Sequence, residues 1–141
     1  MGSSVDIKKE VSDLRGDFIL LCKKHGLNHG LLECVSFAGD GQVMNDQHFV
    51  IDFVDGAYCL FYFERGRASL SESFRCSSEA LRYLVESVCY SEAVFFCKKN
   101  KIPKDVARFD GCVNSKQREL VRSVSLGWYE ILEKKHADIY S

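Results

Sequence analysis

Apolar positions in this chain change period twice, from helical spacing to alternation and back. Val11, Leu14, Phe18, Leu21 and Cys22 form one apolar stripe, which predicts a helix over residues 5–25. Lys23, Lys24 and His25 suit the negative end of its dipole, and Gly26 supplies a C-terminal cap. In "LLECVSFAG" apolar and polar residues alternate, predicting a strand over 31–38, and "GDGQVMNDQ" reads as a loop. "HFVIDFV" sets Phe49, Ile51 and Phe53 on one face and Val50, Asp52 and Val54 on the other, a strand over 47–54. Asp55-Gly56 is a tight-hairpin signal. After it, 57–64 is apolar on both faces, with Cys59, Phe61 and Phe63 opposite Tyr58, Leu60 and Tyr62. Such a strand belongs inside a sheet with cover on each side.

That strand ends in Glu64-Arg65-Gly66. Gly66 reads as a second hairpin turn needing positive φ, with Glu64 and Arg65 tying down the strand end. "RASLSESF" then alternates Ala68, Leu70 and Phe74 with serines, a half-exposed strand over 68–75. Helical spacing returns over 77–100. Ser77 or Ser78 serves as cap, Glu79 sits in the first turn, and Leu81, Leu84, Val85, Val88, Phe95 and Phe96 form the buried face. Pro103 is a stop. Residues 103–113 read as a connection with a short helix before Asp110-Gly111. Asn114 to Gln117 resembles a capping box, and Leu120, Val121, Val124, Trp128, Ile131 and Leu132 continue helically, with Gly127 the expected break. Helix, four strands, then helices predicts an α+β fold: an antiparallel four-stranded meander with an N-terminal helix and two or three C-terminal helices packed on the sheet. At 141 residues the chain is expected to be a single domain, 1–141.

Composition narrows the class. No stretch approaches the roughly 20 continuous apolar residues of a membrane span, and no apolar signal core follows the start. Seven cysteines lie at 22, 34, 59, 76, 89, 97 and 112 without a CxxC pair. That scatter argues against a disulfide framework or a zinc site and points to a reducing cytoplasm. Net charge is −1 but unevenly spread. No Lys or Arg lies between Lys24 and Arg65, where Glu33, Asp40, Asp46, Asp52, Asp55 and Glu64 supply six acids. From Ala93 onward ten Lys/Arg face six Asp/Glu. Such asymmetry bears on partners rather than on fold.

Catalytic signatures are missing from the sequence. His25, His29, His48 and His136 form no HxH, HxxxH or HExxH, so no metal is expected, and neither a P-loop nor GxGxxG occurs. No cysteine adjoins a histidine. Glu64 and Arg65 could serve as acid and anion clamp, but strand neighbours point to opposite faces. No catalytic residue and no cofactor is assigned, and the chain is read as a non-enzyme. "CKKNKIPKDVAR" (97–108) is the one basic cluster, and an RNA-associated adaptor binding through it is the alternative reading.

Tyr58 opening a strand that ends in Glu64-Arg65-Gly66 begins a longer pattern. A helix follows with Leu81, Tyr83, Glu86, Ser87, Val88 and Ala93, ending near Asn100; a later helix carries Gln117, Glu119 and Leu120; then come Trp128, Glu130 and Ile131. In this order and spacing, Tyr58 to Ile131 resembles immunity protein family 63 of bacterial polymorphic toxin systems. Lys101 stands where that family usually has arginine, and "RFDGCVN" replaces an Asp-x-Arg-Arg run. Residues 1–45 show no match. The resemblance implies a cytoplasmic inhibitor that binds the C-terminal domain of a cognate toxin, expected to be a nuclease. No direct nucleic-acid or membrane contact is expected, and nothing indicates the oligomeric state. Beside it, the charge pattern offers Asp40, Asp46, Asp52, Asp55 and Glu64 as the partner-binding acids, facing a cationic toxin groove. Tyr58, Glu64, Arg65, Gly66 and Trp128 are expected to be architectural.

Overall fold

The computed structural model describes residues 8–28, 35–39, 48–100 and 106–140, with backbone alone at 48, 106–107 and 136–140. The elements are α1 (Lys9–Lys24), β1 (Val35–Phe37), β2 (His48–Val54), β3 (Ala57–Glu64), β4 (Arg67–Phe74), α2 (Ser77–Lys99), α3 (Val106–Val124) and α4 (Leu126–Tyr140). They divide into two compact units, Met1–Leu20 with Leu32–Leu81 and Leu21–Leu31 with Arg82–Ser141, so α1 and α2 contribute to both.

The first unit is a sheet in the order β1-β2-β3-β4 with a helix on one face. Two reversals use two-residue turns in which both central residues take positive φ: Asp55 (52°) with Gly56 (79°), and Arg65 (52°) with Gly66 (74°). That is the mirror-image turn matching the right-handed strand twist, which joins antiparallel neighbours. β1 breaks the expected meander. It pairs with β2 in parallel, Phe37 beside Ile51, so the sheet is mixed. Alternation tells which side chains share a face and is blind to strand direction; only a tight turn imposes reversal, and ten residues separate β1 from β2 in sequence. Of the predicted 31–38, residues 31–34 lie outside those described.

Phe37, Ile51 and Leu60 form a row across one face of the sheet, and Ile51 and Leu60 are fully buried. Val11, Leu14 and Phe18 of α1 are equally buried, and the Phe18 ring lies 6.1 Å from that of Phe37. β4 differs from its expected half-burial. Every residue from Arg67 to Ser73 is exposed and only Phe74 is buried. As an edge strand it has one neighbour, and a register shift opposite Leu60/Phe61 leaves Ser71 as an extra residue.

In the second unit, α1 ends as predicted. Leu27 donates to the Cys22 carbonyl (2.8 Å) and Gly26, at φ 69°, to that of Lys23 (3.4 Å), the paired bonds of a glycine cap. Along α2, Leu84, Val85, Val88, Cys89, Ala93 and Cys97 are fully buried. Phe95 and Phe96 are not: they are 60% and 40% exposed, because small Ala93 and Cys97 hold the inward face near the helix end. Phe96 instead lies under the Lys116 ammonium, 4.4 Å from the ring centroid.

α3 starts well before the predicted cap. It runs through Gly111, and Asn114 sits inside it. Phe109, Cys112 and Val113 extend the stripe of Gln117, Leu120 and Val121 backward by two turns. An interior glycine costs only about 1 kcal/mol, too little to stop a helix whose Val113 is buried. Cys97 and Cys112 form a disulfide between α2 and α3, Cα atoms 6.5 Å apart. The expected absence of disulfides fails here because two helices, rather than a short motif, bring the pair together. The last break falls at Ser125, whose hydroxyl accepts the Trp128 N–H (3.2 Å) and so caps α4, while Gly127 lies within α4. Ile131, expected on the buried stripe, is 43% exposed, while Leu132 is buried.

Candidate functional site

The acid-rich span does not gather into one patch among the described residues. Asp40 and Asp46 lie outside them. Asp52 is held within the fold: Lys8 Nζ stands 3.3 Å from its Oδ1, the same oxygen accepts the Phe53 N–H at 2.7 Å, and Lys8 also donates to the Phe53 carbonyl. Asp55 is exposed in the turn before β3, and Glu64 is exposed at the strand's far end. At about 3.3 Å per residue along β3, these two positions are roughly 25 Å apart. A run of acids in sequence has become three separate sites.

Tyr58, at the Asp55 end, is buried and stacks edge-on against Phe53 at 4.9 Å. Burial raises its pKa, and the carboxylates of Glu10, Asp13 and Asp17 and the Cys76 thiol add to the rise. Its hydroxyl therefore stays protonated, a packing group rather than a base. The opposite end is open. Tyr62, Glu64, Arg65, Arg67 and Ser69 line a hollow of about 700 Å³, with Glu64 and Arg67 register partners across the hairpin and the Phe49 ring 4.8 Å from Tyr62. Glu64-Arg65-Gly66 is thus a turn, as expected, and also the rim of a concave surface. Sequence reasoning assigned Arg65 to architecture and left Arg67 and Ser69 out. Their cross-strand pairing with Glu64 and Tyr62 is what marks them, and it follows once the two-residue turn sets the register.

The second unit joins residues of the family-like pattern. Gln117 Nε2 donates to the Glu86 carbonyl at 3.1 Å, while Glu86 Oε2 takes Arg82 Nη1 at 3.3 Å and Ser87 donates to the Tyr83 carbonyl at 2.9 Å. Trp128 is half-buried at the start of α4. Ser115, Arg118, Glu119 and Arg122 of α3 face Tyr129 and Glu133 of α4 around a second hollow of about 420 Å³. Arg118 pairs with Glu133 (3.4 Å), and the Arg122 guanidinium lies 5.5 Å from the Tyr129 ring. From the basic cluster, Lys98 and Lys99 are exposed in the last turn of α2 and Arg108 is exposed on α3.

Thiol chemistry is closed at most positions. Burial, then the Glu92 carboxylate, pushes Cys22 up to about 11. Burial, then Cys22, Glu92 and Glu86, pushes Cys89 up to about 12. Both stay protonated at neutral pH and are poor nucleophiles. Glu92 is itself engaged, its Oε1 accepting the Asn28 N–H at 2.9 Å. Among the described residues no three His, Cys, Asp or Glu side chains are placed to hold a metal ion, and no helix there is long and apolar enough to cross a membrane. No family model, curated protein or solved structure matches the chain.

Proposed function

We propose that this chain is an immunity protein that binds the C-terminal domain of a cognate toxin, a nuclease, and neutralises it without chemistry of its own. The observation that carries the reading is the Gln117–Glu86 bond. It ties the Gln117 side chain to the backbone carbonyl of Glu86, 31 residues earlier, and so supports reading the two helices of the resembling stretch as one packed unit. The acids form no single patch, so the charge argument rests on Asp55, which is exposed at the hairpin turn and lies outside the Lys8–Asp52 pair, as the acid offered to a cationic nuclease surface. The test is co-expression with the protein encoded immediately upstream. Rescue of growth with a stable one-to-one complex is the expected result; failure of both rescue and complex formation removes the reading. Within the complex, Asp55→Lys weakens binding more at low salt than at high salt, whereas Asp52→Lys acts first on stability.

A further inference from the structure

We infer that the C-terminal end of α2 is a docking surface for single-stranded nucleic acid, with the Phe95 ring as a platform for a base and Lys98, Lys99 and Arg108 as phosphate contacts. The inference stands beside the immunity reading and rests on nothing in it; the resemblance by itself predicts no such contact. Along one side of α2, Leu84 and Val88 are fully buried, while Phe95, seven residues after Val88 and on the same side, is 60% exposed. The stripe runs past its cover and leaves an aromatic face open. Lys98 and Lys99 follow Phe95 by three and four residues, which sets both beside the ring on that side of the helix. Arg108 comes from α3. It stands one turn before Cys112, whose bond to Cys97 holds the start of α3 against the end of α2.

These cations are unpaired, and that selects the occupant. Lys98, Lys99 and Arg108 are all exposed, and among the described residues none of the three is held in an ion pair. The acids closest in sequence are engaged or turned aside. Glu92 accepts the Asn28 N–H, Glu119 pairs with Lys116, and Asp110, two residues from Arg108, lies on another side of α3. Lys116 already stands over Phe96, so the open ring is that of Phe95. An acidic peptide would satisfy the cations and leave the ring bare. A membrane surface asks for a wide apolar face, whereas here one ring is flanked by ammonium groups. A single strand offers phosphates to the cations and an unpaired base to the ring.

The probe is a twelve-nucleotide oligouridylate, compared with an abasic sugar–phosphate chain of the same length, with polyglutamate and with vesicles containing anionic lipid. The expected result is oligouridylate binding that weakens with salt, and a loss of about fivefold or more for the abasic chain. Phe95→Ala should bring the oligouridylate down to the abasic level and leave abasic binding unchanged. Phe95→Leu, which keeps apolar bulk and loses the aromatic plane, should fall with it. K98E/K99E should weaken both chains by about tenfold or more, while K134E/K135E, the same charge change on α4, should leave both alone. No binding, equal binding of base-bearing and abasic chains, polyglutamate held as tightly as oligouridylate, capture by vesicles alone, or equal losses for the two lysine pairs overturns the inference. Since no toxin enters the experiment, its failure leaves the immunity reading intact, and a failed rescue leaves this surface untouched.

Discussion

The sheet unit and the helical unit reverse their chains by different means. Between β2, β3 and β4 the reversals are local: two dipeptides, Asp55-Gly56 and Arg65-Gly66, adopt positive φ and set the antiparallel registers. In the helical unit the ties are remote in sequence: a disulfide spanning 15 residues, the Gln117–Glu86 bond across 31, and the Asn28–Glu92 bond across 64. Local turns preset a sheet's register before packing completes. Remote ties form only after the helices have met. The first unit should therefore answer to turn residues and core side chains, and the second to redox state and to buried thiols.

The largest contrast is expected inside the sheet. Leu60 is fully buried in the row with Phe37 and Ile51, while Leu70 is mostly exposed on the next strand. Leu60→Ala should lose about 2–5 kcal/mol in urea unfolding, and Leu70→Ala less than about 0.5 kcal/mol. Equal losses would mean that β4 carries core. Next comes the crosslink. Reducing Cys97–Cys112, or Cys112→Ser, should lower stability by about 3 kcal/mol, the chain-entropy expectation for a loop of this size. Thermal melts with and without reductant measure it, and Cys76→Ser is the silent control because that thiol is free and exposed.

Glycine substitutions separate the units again. A Cβ at Gly66 meets nothing within 4 Å, so the cost of Gly66→Val is backbone strain at φ 74°, about 1–3 kcal/mol. Gly111 is equally open but sits inside α3, and Gly111→Ala should gain about 0.5–1 kcal/mol. The last effect is alkaline. Cys22 and Cys89 rise from 9.0 to about 11 and about 12, so their neutral forms favour the folded state. That stabilisation is complete below about pH 9 and is lost as pH climbs through the folded values. By pH 10 about 1 kcal/mol per thiol has been lost. Unfolding measured from pH 8 to 11 should fall along this curve, and Cys22→Ala with Cys89→Ala should flatten it.

Much of the fold was legible. The α1 stripe, the glycine cap at Gly26, both hairpin turns and the inward face of α2 as far as Val88 follow from residue spacing and turn chemistry, which act over a few positions. Legibility failed where a neighbour distant in sequence decided the outcome. Phe95 and Phe96 were read as continuing the buried helical stripe of Leu81 to Val88, yet Ala93 and Cys97 take the interior. Asn114 and Asp110-Gly111 looked like a boundary, yet α3 passes through them because Val113 has a core to enter. The candidate site shows the same limit. Glu64-Arg65-Gly66 was visible as a turn, but its hollow needed Arg67 and Ser69 brought alongside Glu64 and Tyr62.

From its sequence alone, the chain determined the order of helices and strands, where the two hairpins would turn, and that its acids and bases would be segregated along the chain. Those are consequences of side-chain period and backbone preference, both short-range. Only the tertiary structure decided that β1 would run parallel to β2, that Cys97 would meet Cys112, that the acids would scatter, and that β4 would be left open. Each depends on which surfaces meet after the elements exist, and neither period nor propensity carries that information.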